Sequence, residues 1–220
     1  MQSLGFMHDD FKKNLFTNIF QTSFPCVMAK AVANKGFFHT FSIPDLTINS
    51  VEVAKKNLQE FVSIMHEKKL RLSSCAVQIE DERFKDFKIF EEHFWPFLRE
   101  LSLQDKKEFN PDPTVDADPE SSNFSFSIKS ESFFIIVLHP ESPRWSRRFK
   151  HPTIVFNPHK QFEEMRANGT YNKVRDMIRM KDKLLQGNIN PMLQNFGEKS
   201  EVFQYLGKVY DEHDSVPLTF

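Results

Sequence analysis

Residues 123–138 read NFSFSIKSESFFIIVL, and this stretch decides the fold class. Residues 123–128 alternate apolar and polar side chains, 133–138 form an unbroken apolar run, and Lys129-Ser130-Glu131 between them suits a tight turn, so the segment predicts a β-hairpin. Downstream, 153–156 reads as a further apolar strand. Helical stretches follow at 160–167, 172–185 and 198–205, stopped by Gly169, Gly187 and Gly207. Upstream, 85–101 carries Phe87, Phe90, Phe94, Phe97 and Leu101 on one helical stripe. Residues 73–79 and 36–43 read as strands, the latter closed by Pro44. Between them Val51, Ala54, Leu58, Phe61 and Met65 mark a helix, with Asn49 and Glu52 in capping-box spacing. Residues 1–22 predict an N-terminal helix with Phe11, Leu15 and Ile19 on one face, ended by Pro25. From 105 to 120 six acidic residues face two lysines without periodicity, which reads as a long loop. Strands and helices in this order, without regular βαβ alternation or internal repeats, predict an α+β fold: one domain over 1–220 with a mixed or antiparallel sheet and several amphipathic helices.

Composition narrows the function classes. The 220 residues carry 29 basic and 30 acidic side chains, a net charge of −1, which removes the global cationic field of a nucleic-acid binder. No apolar run approaches the roughly 20 residues of a membrane span. Asp9, Asp10, Lys12 and Lys13 interrupt any signal-peptide core, so a cytoplasmic location is expected. Cys26 and Cys75 read as free thiols, too few for a disulfide framework. Phenylalanine supplies 25 of the aromatic residues against three tyrosines and two tryptophans, so the interior is built from rings without polar handles, in the core or around a flat apolar ligand.

No GxGxxG, GxxxxGK, HExxH or GxSxG signature is present. The chemistry-bearing residues gather where the strand 133–138 runs into a loop. From 139 to 151, Arg144, Arg147, Arg148 and Lys150 stand against Glu141, a local charge of +3 that suits either a solvated basic loop or a carboxylate or phosphate site. His139 follows one strand directly and His159 lies just after another; if those strands are neighbours, both imidazoles are expected on the same sheet edge. A neutral imidazole is a metal or haem-iron ligand, although a histidine at a strand end is often only structural. Cys26 is a further candidate thiolate ligand or a small buried thiol.

The blocks Phe24-Pro25-Cys26-Val27-Met28-Ala29-Lys30, Ala117-Asp118-Pro119, Phe124-Ser125-Phe126-Ser127, Leu138-His139-Pro140, Ser142-Pro143-Arg144, Arg147-Arg148-Phe149, Val155-Phe156-Asn157-Pro158-His159-Lys160-Gln161-Phe162-Glu163 and Asn190-Pro191-Met192-Leu193 occur in an ordered series over nearly the whole chain. Together they resemble the YqcI/YcgG family. That resemblance implies a haem-dependent N-hydroxylase, because some members hydroxylate arginine-derived or guanidino compounds with haem b, dioxygen and an external reductase. It implies His139 or His159, or else Cys26, at the iron. Arg144, Arg147 or Arg148 would then pair with the propionates, and Asp116, Asp118 and Glu163 are candidates to receive a guanidinium or amino substrate, of which the family pattern supports only Asp118 and Glu163. Two positions depart from the family pattern: Val216-Pro217-Leu218 stands in place of Cys-Pro-Phe, and Lys129 and Ser130 in place of paired glycines. The competing readings are a non-catalytic haem- or anion-binding protein and an interaction module whose arginine loop docks an acidic partner.

Overall fold

The structure is a computed structural model that describes residues 3–211 and 213–220. The chain order is α1 (Ser3–Phe20), α2 (Val27–Lys35), β1 (Phe37–Ile43), α3 (Ile48–Glu67), β2 (Ser73–Ile79), α4 (Phe87–Asp105), β3 (Phe126–Ile128), β4 (Glu131–Leu138), β5 (Thr153–Pro158), α5 (Lys160–Ala167) and α6 (Tyr171–Gln186). The first two residues of the expected N-terminal helix lie outside the described residues. One five-stranded sheet in the order β1-β2-β5-β4-β3 organises the rest. β1 and β2 run parallel, joined through α3 as a crossover requires, and every other pairing is antiparallel. The sheet is therefore mixed, and the fold is α+β.

Strand periodicity divides the interior in two. On the first face, Phe41, Ile43, Cys75, Val77, Ile79, Ile154, Phe156, Phe133, Ile135 and Val137 pack with Leu58 and Phe61 of α3 and Phe90, Phe94 and Leu101 of α4. On the second face, Phe38, Ala76, Val155 and Leu138 pack with Phe11, Leu15 and Ile19 of α1 and Val32 of α2. All three expected α1 positions are buried.

Several local expectations shift for identifiable reasons. α3 begins after Thr47, and Asn49 lies inside the helix. The anchor is Asp45, whose Oδ1 accepts from Thr47 N (3.0 Å), Thr47 Oγ1 (2.7 Å) and Ser50 Oγ (2.7 Å). α2 has no strong apolar stripe and follows Pro25 closely, which hid it; Cys26 Sγ caps it by accepting from Ala29 N at 3.4 Å. The hairpin turn forms as expected, with both Lys129 (φ 51°) and Ser130 (φ 59°) in left-handed backbone that glycine would occupy without strain. The expected last helix contracts to a 3-10 turn, Glu201–Gln204.

Candidate functional site

The second face is incompletely filled. Between it and α1, α2, α5 and α6 lies a cavity of about 280 Å³. Its floor is Ser74 of β2, Phe134 and Ile136 of β4, and Val155 and Asn157 of β5. Ser74 Oγ donates to Asn157 Oδ1 (2.8 Å), and Asn157 Nδ2 donates to Phe134 O (3.3 Å), so the polar floor groups satisfy one another and present an apolar surface. Met28, Val32, Val174 and Ile178 wall it, and Phe162 and Phe196 stand beside His159.

One polar group of the cavity comes from the β4–β5 loop. The Arg144 guanidinium is buried against Asp182 of α6 and also donates to Asn188 Oδ1 (2.5 Å) and Asn188 O (2.9 Å). This pair straps α6 to the loop. Among the described residues Arg144 Nε and Asp182 Oδ1 remain buried without a hydrogen-bond partner, as does Gln161 Oε1, and all three residues line the cavity. Arg147 differs from Arg144. It is 8% exposed, and among the described residues its guanidinium pairs with no carboxylate and makes a single hydrogen bond, from Nη1 to Tyr205 O at 2.7 Å. A guanidinium has five N–H donors, so most of its capacity is unspent. Burial pulls its pKa down to about 10, with the nearby Asp182 carboxylate opposing the shift and the Arg144 charge adding to it. Gly207 makes the placement possible: a Cβ there would lie 2.7 Å from Arg147 Cδ, and its φ of +73° suits glycine. Cys26 lines the same region, and burial raises its thiol pKa, which disfavours the thiolate.

The other polar group sits beyond the C-terminal end of β5. His159 is 4% exposed, its ring 4.4 Å from that of Phe196, and no hydrogen bond engages its ring nitrogens among the described residues. The nearest carboxylate oxygen, Glu163 Oε1, is 3.6 Å from Nδ1 and is held by Arg166. Burial, then the Arg166 charge, pushes His159 down to about 4, so the imidazole is neutral at pH 7. Glu201, absent from the sequence reading, is also here: 4% exposed, lining the cavity, and accepting from Tyr205 Oη (2.7 Å) and Ser125 Oγ (3.2 Å).

The structure gathers Cys26, Arg144, Arg147 and His159 on one cavity and places the other expected residues elsewhere. The shared edge anticipated for the two histidines is not formed. β4 and β5 are neighbours but antiparallel, with Leu138 opposite Thr153 and Phe133 opposite Pro158, so the ends that carry His139 and His159 are about 17 Å apart at strand rise. His139 faces the α4 side, between Phe87 and Phe90. Its Nε2 donates to Phe84 O (2.7 Å) while Nδ1 accepts from Glu141 N (3.1 Å), leaving no nitrogen for a metal. Arg148 is exposed, donates from Nε to Ser142 O (3.0 Å) and borders a separate shallow cleft. Asp118 and Asp116 are exposed in loop turns, where Asp118 Oδ1 accepts from Glu120 N (3.0 Å) and Asp116 Oδ1 from Asp118 N (3.1 Å). Glu163 is exposed and engaged with Arg166. The signal that could have pointed to Glu201 is an acid amid Val202, Phe203, Tyr205 and Leu206, a setting in which a solvated carboxylate is unexpected.

A family model described as YqcI/YcgG family matches residues 11–219. The chain belongs to the YqcI/YcgG family. It is 36% identical over 115 residues to Uncharacterized protein YcgG of Bacillus subtilis (strain 168), a match covering 50% of this chain and 44% of that protein. It is 28% identical over 129 residues to Uncharacterized protein YqcI of the same strain, covering 56% and 49% respectively. The matches thus cover about half the length of these two curated relatives. No solved structure matches the chain. No helix among the described residues is long and apolar enough to cross a membrane.

Proposed function

We propose that this YqcI/YcgG-family protein is a haem-dependent oxygenase that hydroxylates a nitrogen of an arginine-derived, guanidino or amino substrate. The observation that carries the reading is His159, a neutral, buried imidazole without a ring hydrogen bond among the described residues, facing an apolar, phenylalanine-flanked cavity that also holds the Arg147 guanidinium, which is in direct contact with no carboxylate among those residues. These residues fit a porphyrin. Among the described residues no cluster of three His, Cys, Asp or Glu could hold a bare metal ion. Haem asks less of the protein: one axial ligand, an apolar slot and a partner for its propionates.

His159 would hold the iron, Phe134, Phe162 and Phe196 would pack against the porphyrin, and Arg147 would meet a propionate through its unspent donors. Haem b, when bound, would supply reductive activation of dioxygen, one oxygen atom going to the substrate nitrogen and the other to water, with two electrons and two protons from an external reductase system. The chain's own part is to bind and orient. The Arg144–Asp182 strap holds α6 over the cavity, and the apolar floor keeps water from the bound substrate.

The test is reconstitution of the purified protein with haem b. The expected result is a single haem per chain with a Soret band whose position and spin state change in His159→Ala and stay unchanged in His139→Ala. Folded protein that takes up no haem overturns the reading. A second reading, a non-catalytic haem- or anion-binding protein, draws on Arg147 alone; substrate-dependent oxygen consumption separates the two.

A further inference from the structure

We propose that Glu201 is the cation-accepting group of this cavity, the side chain against which a guanidinium or ammonium group of the ligand is held. Glu201 is 4% exposed and has no Lys, Arg or His within ion-pair distance among the described residues. Both of its hydrogen bonds, from Tyr205 Oη and Ser125 Oγ, fall on Oε1, and Oε2 has no partner among the described residues. A buried carboxyl group with no cation beside it resists ionisation, because the charged form would cost far more there than in water, and a cation brought to it removes that cost. Here the arrangement is held firmly in place. The turn that carries Glu201 is capped by Ser200, whose hydroxyl accepts from Val202 N and donates to Pro119 O at 2.6 Å, and Tyr205 at the end of that turn is fully buried.

The surroundings select the sign of the missing group. The charged and titratable groups acting on Glu201 are Tyr205 on its own turn and Arg166 from α5, and Arg166 is already committed to Glu163. Without a cation, burial pushes Glu201 up to about 8, so it carries a proton at neutral pH. A ligand cation at Oε2 would displace that proton to solvent and leave a charge-assisted pair in a low-dielectric site. Asp118 and Glu163 cannot take this place, being exposed and turned into loop and surface contacts.

The inference rests on the reading of the cavity as the substrate site, but its test does not need haem. Binding of butylguanidinium and of the uncharged isostere butylurea would be measured by calorimetry on the haem-free protein at pH 7, in buffers of different ionisation enthalpy. Wild type is expected to bind butylguanidinium roughly tenfold or more tightly than butylurea, with release of a proton. Glu201→Gln, which preserves shape and both hydrogen-bond positions, is expected to bind the two equally with no proton release, and Glu201→Asp to retain part of the preference. A wild type without preference, or a folded Glu201→Gln that keeps it, overturns the assignment. Haem uptake measured on the same proteins tells the two failures apart: loss of cation preference with normal haem loading in Glu201→Gln supports both, whereas preference without any haem loading keeps the cation site and removes the oxygenase.

Discussion

His139 and His159 follow neighbouring strands in similar sequence settings and end in opposite circumstances. His139 continues the parity of Phe133, Ile135 and Val137, enters the face covered by α4, and spends both ring nitrogens on backbone groups. His159 continues the parity of Val155 and Asn157, enters the other face, and spends neither among the described residues. The same contrast holds for the faces as wholes. The first is a buried core in which phenylalanine rings predominate among aliphatic side chains. The second leaves a cavity and keeps Arg147, His159 and Glu201 buried beside it with much of their hydrogen-bonding capacity unspent among the described residues. One face stabilises the fold, and the other holds polar groups ready for a ligand.

The largest expected effect breaks the second face at its strap. Arg144→Ala should cost about 3–5 kcal/mol in urea unfolding, because Asp182 is left buried and unpaired. Replacing Arg144 and Asp182 together by leucine should cost clearly less than the sum of the single changes. A loss below about 0.5 kcal/mol for Arg144→Ala would mean that this residue behaves as part of a solvated loop.

On the first face, His139→Ala should cost about 1–3 kcal/mol, since Phe84 O loses its donor inside the core. The pH dependence has a definite sign. Burial lowers the His139 pKa below 6.5, so the native state binds the proton more weakly than the unfolded chain. The stabilisation is complete above pH 6.5 and is lost as pH falls below it through the folded pKa, at up to about 1.4 kcal/mol per pH unit. Chemical unfolding between pH 5 and 7.5 should therefore show a slope attributable to this site in wild type and not in His139→Gln.

A smaller change returns to the cavity. Gly207→Ala should cost about 1–2 kcal/mol from the left-handed backbone, and the added Cβ should push Arg147 off Tyr205 O. Haem affinity should then fall more than stability does, which separates a ligand partner from a packing residue. The smallest effect concerns neither face: Ser130→Gly in the β3–β4 turn should raise stability by about 0.5 kcal/mol, relieving a positive φ at the cost of the exposed bond from Ser130 Oγ to Asn110 O. A decrease would show that the side-chain bond outweighs the backbone strain.

Periodicity alone made the α+β class, the hairpin, the strands β1 and β2, the helices α1, α3 and α4 and the positions of α5 and α6 legible, because burial on one side of a strand or helix imposes its spacing on local sequence. Gly187, with φ +86°, ends α6 as its sequence position indicates. α2 was not legible, since its short alanine-rich run lacks a stripe, and neither was the contraction of the last helix to a turn. The composition of the site was half legible: the arginine cluster, Cys26 and His159 stand out as residue types. What sequence could not supply was direction. Whether β4 and β5 pair parallel or antiparallel decides at which sheet end each histidine emerges, and strand parity decides its face; both are set by long-range pairing. Likewise, the sequence determines that Arg144 and Arg147 share a loop. Only the tertiary structure decides that Asp182, from a helix 38 residues away, neutralises one and leaves the other facing a cavity, because a buried charge is defined by what chain folding brings to within a few ångströms of it.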